Sequence, residues 1–234
     1  MVDHGRLSGV LSDFAHTLVR HYDVGDVLYQ LTDATVEVLG AGGAGVSLMA
    51  EGGQLRFVSA TDEDTSTVER IQEDCQMGPC KESHELGEPV LVHDIACTNR
   101  WPQYRKQAMA VGFHTMAGIP MRLQNFRLGA LNVYDRVPRT WADDEVVAAQ
   151  ALADMASSLV INARELEQSR RVAAQLQHAL ESRIIIEQAK GAVAREQAIS
   201  VEEAFGLLRA HARANHLKLH DVARAVVDNS QRLG

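Results

Sequence analysis

The sequence predicts an α+β domain, a long connecting helix and a small helical bundle. Three observations lead there. Up to Tyr134, short apolar strands bounded by Gly, Pro and Asn turns alternate with helical stretches, the pattern of an antiparallel sheet flanked by helices. From Ala142 to Lys190 no Gly or Pro interrupts a helical pattern. Beyond it, apolar stripes recur at helical spacing on three short segments. The boundaries drawn from these are 1–165, a helical linker over 166–178, and 179–234.

In chain order, Arg6–Tyr22 reads as an amphipathic helix, with Leu7, Val10, Leu11, Phe14, Leu18 and Val19 on one side. Val24–Leu39 is a second helix, capped near Asp23. Gly40–Gly45 formally matches GxGxxG. A helix precedes it and a strand follows, the reverse of a dinucleotide site, so it reads as a helix-to-strand turn. Ala44–Ala50 and Gln54–Thr61 pair as strands around a Glu51-Gly-Gly53 turn. Asp64–Gln76 is helical, and Pro79 opens a shorter helix. A strand over Glu88–Asp94 and a helix over Gln103–Val111 follow. Strands Thr115–Leu123 and Leu128–Tyr134 close the sheet around Gln124-Asn125.

Leu152, Leu159, Leu166, Ala173 and Leu180 then recur every seven residues. A heptad seam of this length predicts a coiled-coil-like helix and a homodimer. In the final segment Ile185, Ile186, Ala189 and Val193 share a helical face, with Gly191 in mid-helix at a cost of roughly 1 kcal/mol against Ala. Ser200-Val-Glu-Glu203 reads as a capping box ahead of Val201, Ala204, Phe205, Leu208 and Ala212, which recur at helical spacing, with Phe205 expected in the core. Leu219, Val222, Ala223, Val226 and Val227 give the last apolar face.

The chain's net charge of −8 opposes a simple basic nucleic-acid binder, yet the charge is unevenly spread. From Arg170 onward there are ten Lys and Arg against seven Asp and Glu, a net +3. The rest holds the other 13 basic and 24 acidic residues, a net −11. That asymmetry fits an acidic domain joined to one able to face phosphates. No run of 18 apolar residues and no secretory signal is read in the sequence, so the cytoplasm is expected. Cys75, Cys80 and Cys97 form no CxxC pair and read as reduced thiols. There is no GxSxG, Walker A or HExxH motif, and the ten histidines are scattered, so neither an enzyme nor a metal site is expected.

Two resemblances follow from particular residues. Arg183, the run Ile186-Glu-Gln-Ala-Lys-Gly191, Ser200-x-x-Glu-Ala-Phe205, Leu208-Arg209, Ala212, Asn215 and Lys218-Leu-x-Asp-Val-Ala223 resemble an ANTAR domain, an RNA-binding antitermination module. Gly78-Pro-Cys80, Gly87-Glu-Pro-Val90, Asp94, Arg100-Trp-Pro102, Gly112, Ile119-Pro-Met121 and Leu128-Gly-Ala-Leu-Asn-Val133 resemble a GAF domain. The latter implies five or six antiparallel strands and a pocket able to hold a small molecule of unknown identity. His93, Trp101, Met116, Asn132 and Tyr134 are its expected lining. No cofactor is evident.

The former implies RNA hairpins as the partner. Arg183, Lys190, Arg195, Arg209, Arg213, Lys218 and Arg224 are available for phosphates, and Gln188 and Asn215 for base edges. Gly191 would leave backbone bare beside Lys190. The function expected is a signal-responsive transcription antitermination regulator. The alternative is a ligand-sensing regulator whose bundle binds DNA or a protein.

Overall fold

The computed structural model describes residues 2–50 and 52–228. Glu51 of the expected hairpin turn and residues 229–234 of the expected bundle lie outside them. The chain divides into two compact units, 1–164 and 165–234.

The first unit is built on a five-stranded antiparallel sheet. Its strands are β1 (Gly43–Met49), β2 (Leu55–Ala60), β3 (Val90–Val92), β4 (Thr115–Leu123) and β5 (Phe126–Asp135), in the order β2-β1-β5-β4-β3. Central β5 is buried along most of its length, because both faces of the sheet are covered. Leu131 and Val133 point to one face, Ala130, Asn132 and Tyr134 to the other, as the period of two requires.

The first face packs on α1 (His4–Thr17), α2 (Val24–Leu39) and the start of α6 (Asp143–Gln197). Asp3 and Asp23 cap α1 and α2 with their carboxylates, and Gly40 ends α2 in the left-handed region at φ 59°. The second face packs on α3 (Glu63–Cys75), α4 (Pro79–Leu86) and α5 (Pro102–Val111). The glycine run is not wholly a turn. Gly43 and Gly45 belong to β1, where a Cβ on Gly45 would lie 2.4 Å from Glu69 Oε1 and one on Gly43 2.3 Å from Thr65 Oγ1. These glycines let α3 approach the sheet closely. α6 starts at Asp143, and Glu145 reaches back to accept from Ala142 N at 3.1 Å.

α6 is one helix of 55 residues. One 18-residue window in it has a mean hydropathy of 1.4, enough by length and composition to cross a membrane, which the sequence reading did not anticipate. Leu152, Ala153, Ala156, Leu159 and Val160 of this helix are buried in the first unit's core. The expected seam is therefore divided. Leu152 and Leu159 pack on their own sheet and are unavailable to a partner. Leu166, Ala173 and Leu180 are exposed.

In the second unit the end of α6, α7 (Val201–Ala214) and α8 (Leu219–Val227) close around Ala189, Val193, Ala204, Leu208, Ala212, Val222, Ala223 and Val226. The capping box is formed in both directions. Ser200 Oγ accepts from Glu203 N, and Glu203 Oε2 accepts from Ser200 N at 2.9 Å. Ser200 Oγ also donates to Glu203 Oε2 at 2.7 Å, and this bond, with that from Ser200 N, holds the Glu203 carboxyl below its ordinary pKa.

Candidate nucleic-acid interface

The bundle's cations fall into two groups. Arg183, Arg195, Arg209, Arg213, Lys218 and Arg224 are exposed, as is the uncharged Gln188. Lys190 is not a free cation. Only 17% of its side chain is exposed, its Nζ lies 2.9 Å from both oxygens of Glu187, and it sits 5.2 Å from the centroid of the Phe205 ring. Arg209, on the next helix, places its guanidinium carbon 5.6 Å from the same centroid. Phe205 is thus only partly buried, where the sequence predicts a core residue. Its spacing from Ala204 and Leu208 puts it on the border of the apolar stripe, and two cations shield its outer side. Asn215 also has a task within the fold: it ends α7, and its Nδ2 donates to His211 O at 2.9 Å, leaving its oxygen for a ligand.

Gly191 is exposed, and a Cβ built there meets nothing within 4 Å. No neighbouring helix needs this glycine. Gly206 on α7 is in the same position. Gly206, Arg209 and Arg213 lie three, four and seven apart and share one face of α7. Behind that face is a cleft of about 390 Å³ lined by Arg209, Ala212, Arg213, His216, Leu217 and Leu219.

In the first unit, the five residues expected to line a pocket separate. Met116, Asn132 and Tyr134 lie together beneath α3, and all are fully buried. Most of their polar atoms are engaged by neighbouring side chains, but Asn132 Oδ1 is buried with no hydrogen-bond partner among the described residues. Tyr134 donates to Glu69 Oε1 at 2.8 Å and accepts from Gln72 Nε2 at 3.0 Å; Asn132 Nδ2 donates to Glu69 Oε1 at 2.7 Å; Tyr104 donates to Met116 Sδ at 2.9 Å. Trp101 packs against this cluster in the left-handed region at φ 47°, with Arg100 stacked 4.2 Å from its ring centroid. His93 does not join them. It lies on the exposed side of β3, its ring 3.3 Å from Arg139 O, because the short strand ends at Val92.

Sequence reasoning missed Glu69. Oε2 accepts from Ser47 Oγ at 2.9 Å, so three donors surround a carboxyl that has no cationic partner among the described residues. Burial pushes its pKa from 4.5 to about 7, against the lowering effect of those hydrogen bonds. A signal was present, in that Thr65, Val68, Glu69 and Gln72 mark one helical face. That face is mostly polar, and a search for apolar periodicity passes over it. Burial likewise raises the Cys80 thiol strongly, and Asp94, which accepts from Cys97 Sγ at 3.3 Å, raises that of Cys97. Neither is an activated thiol.

A GAF domain model matches residues 23–160 and an ANTAR domain model residues 174–227. No curated protein matches the chain. Among solved structures, the fold of the first unit is shared with a domain of a putative two-component sensor histidine kinase from Sinorhizobium meliloti 1021. That structure is 20% identical, covers 64% of this chain and 99% of its own, and has a TM-score of 0.54. The GAF domain of a phosphoenolpyruvate-protein phosphotransferase from Coxiella burnetii is 16% identical, covers 71% and 99%, and has a TM-score of 0.56. A free methionine-R-sulfoxide reductase from Neisseria meningitidis is 13% identical, covers 68% and 91%, and has a TM-score of 0.54. At these identities the likeness concerns fold alone, and the family rests on the matched models: this chain belongs to the GAF family and carries an ANTAR domain behind its GAF domain.

Proposed function

We propose that this protein is a cytoplasmic regulator of transcription antitermination, in which the ANTAR bundle grips RNA hairpins and the GAF domain governs when it does so. The observation that carries the reading is the ANTAR match over 174–227, together with a net positive, arginine-studded bundle surface. Arg183, Arg195, Arg209, Arg213, Lys218 and Arg224 meet phosphates, which supply most of the affinity for RNA. Gln188 and the free oxygen of Asn215 read base edges in an unpaired loop. Lys190, already neutralised by Glu187, supports Phe205 and leaves that carboxylate when a phosphate competes for it. The protein acts by binding rather than by catalysis.

The exposed part of the heptad supports a homodimer formed along α6 through Leu166, Ala173 and Leu180, with Leu176 between them. Pairing would bring two bundles together and let one dimer engage two hairpins. The GAF domain contributes the signal. A small ligand there has to reach the Glu69 cluster by displacing side chains that now fill it.

The test is a gel shift with the full-length protein. Pairs of small-loop RNA hairpins should bind, their single hairpins more weakly, and duplex DNA of equal length not at all. A preference for the duplex, or no binding to any hairpin from a randomised-loop pool, overturns the reading.

A further inference from the structure

We propose that the cleft behind Arg209 takes one unpaired nucleobase, unstacked from the loop of a bound RNA. This rests on the RNA reading above and adds to it the place and manner in which a base is held.

The chemistry of the cleft fits a base better than a bare phosphate. Ala212, Leu217 and Leu219 give its lining an apolar side, and Leu217 is 49% exposed, with no described element of the bundle covering it. Its rim is planar and cationic, from Arg209 and Arg213. Guanidinium planes stack on nucleobases, and an apolar lining receives the base's other side. Arg209 is held in place before any ligand arrives, by its packing on Phe205, so less side-chain freedom is lost on binding. The cleft's volume of about 390 Å³ is within the range of small-ligand sites.

The local backbone serves the same end. α7 stops at Asn215, and His216 takes the left-handed conformation at φ 55°. Leu217 N then donates to Ala212 O at 2.9 Å, which turns the chain sharply back. That turn sets the His216 ring at the rim, where an imidazole can hydrogen-bond a base edge. Gly206, one turn before Arg209 on the same face, adds no side chain where the loop backbone would pass.

The experiment uses full-length protein and a hairpin recovered from a randomised-loop RNA pool. Each loop nucleotide is replaced in turn by an abasic one. One position should lose about tenfold in affinity, the effect of removing a single stacked base. Leu217→Trp fills the cleft from its apolar side. It should cost a similar factor with the intact hairpin and nothing further with the abasic one, and it should leave the salt slope unchanged because no phosphate contact is lost. On the unaltered protein, 4-thiouridine at that position should cross-link to His216, Leu217 or Arg213.

If the hairpin binds yet every abasic variant binds equally, or the cross-links fall only on α6, the cleft is not a base site while the RNA reading stands. If no hairpin is recovered, the RNA reading itself falls. A further loss of about tenfold when Leu217→Trp protein meets the abasic instead of the intact hairpin places the base elsewhere.

Discussion

Glu69 is a fully buried carboxyl held by three hydrogen-bond donors and, among the described residues, no cation. Its pKa is higher in the folded state, about 7 against an ordinary 4.5, so the folded protein holds that proton more tightly. The stability linked to it is fully present below pH 4.5 and is lost as pH rises through 7, about 3 kcal/mol in all. Glu69→Gln keeps the shape without the charge. It should raise the melting temperature at about pH 8 and change it little near pH 5, in thermal melts across that range. Identical pH profiles for native and variant protein would show that Glu69 does not titrate in this window.

In the bundle, Gly191→Ala meets no steric obstacle and should stabilise α6 by up to about 1 kcal/mol. If RNA backbone passes over Gly191, the same change weakens hairpin binding. Arg183→Ala should spare the fold and lower the salt slope of log K by roughly 0.7 to 0.9 for one lost phosphate contact. Unaltered binding in both variants would move the RNA face away from this stripe. Cations were easy to find in the sequence, but their partners were not. The i,i+3 spacing of Glu187 and Lys190 allows their ion pair, but nothing in it reveals that Phe205, on the next helix, packs on the same ammonium.

At the scale of elements, α2 and β4 keep the bounds that their caps and apolar patterns predict, because local signals decide both ends. α3 was legible as a helix but not as the element that carries the buried carboxyl. Polar residues there are satisfied by strands distant in sequence, β1 and β5. The glycine run was illegible for a similar reason, since the helix that needs its missing side chains lies about twenty residues onward. The heptad of α6 was legible as a period and ambiguous as a contact. The same spacing that serves a coiled coil also serves a helix packed on a sheet. Leu166→Asp separates the two roles. Leu166 is 48% exposed within its own chain, so the first unit should remain folded while a dimer seam gains a desolvated charge. Light scattering should fall towards 25.6 kDa. A dimer that survives the substitution would lie along another surface.

At the scale of the whole molecule, the acidic GAF domain and the basic ANTAR bundle share a single helix, and every residue of α6 from Arg164 to Glu181 is exposed. Inside the GAF domain the helix is held by the core. Inside the bundle it is held by α7 and α8. Between them its residues are exposed, with His178 reaching α8 by its ring, 5.5 Å from that of His220, so helicity there rests more on local propensity than on packing. If two copies pair there, burial of Leu166, Leu176 and Leu180 supplies what the single chain lacks. Helicity of the connecting segment then follows mass action. Dilution would then let the segment fray, and accumulating copies would stiffen it. Such a chain would register its own abundance as well as any signal, and regulation would begin only once enough copies had been made to complete the shaft.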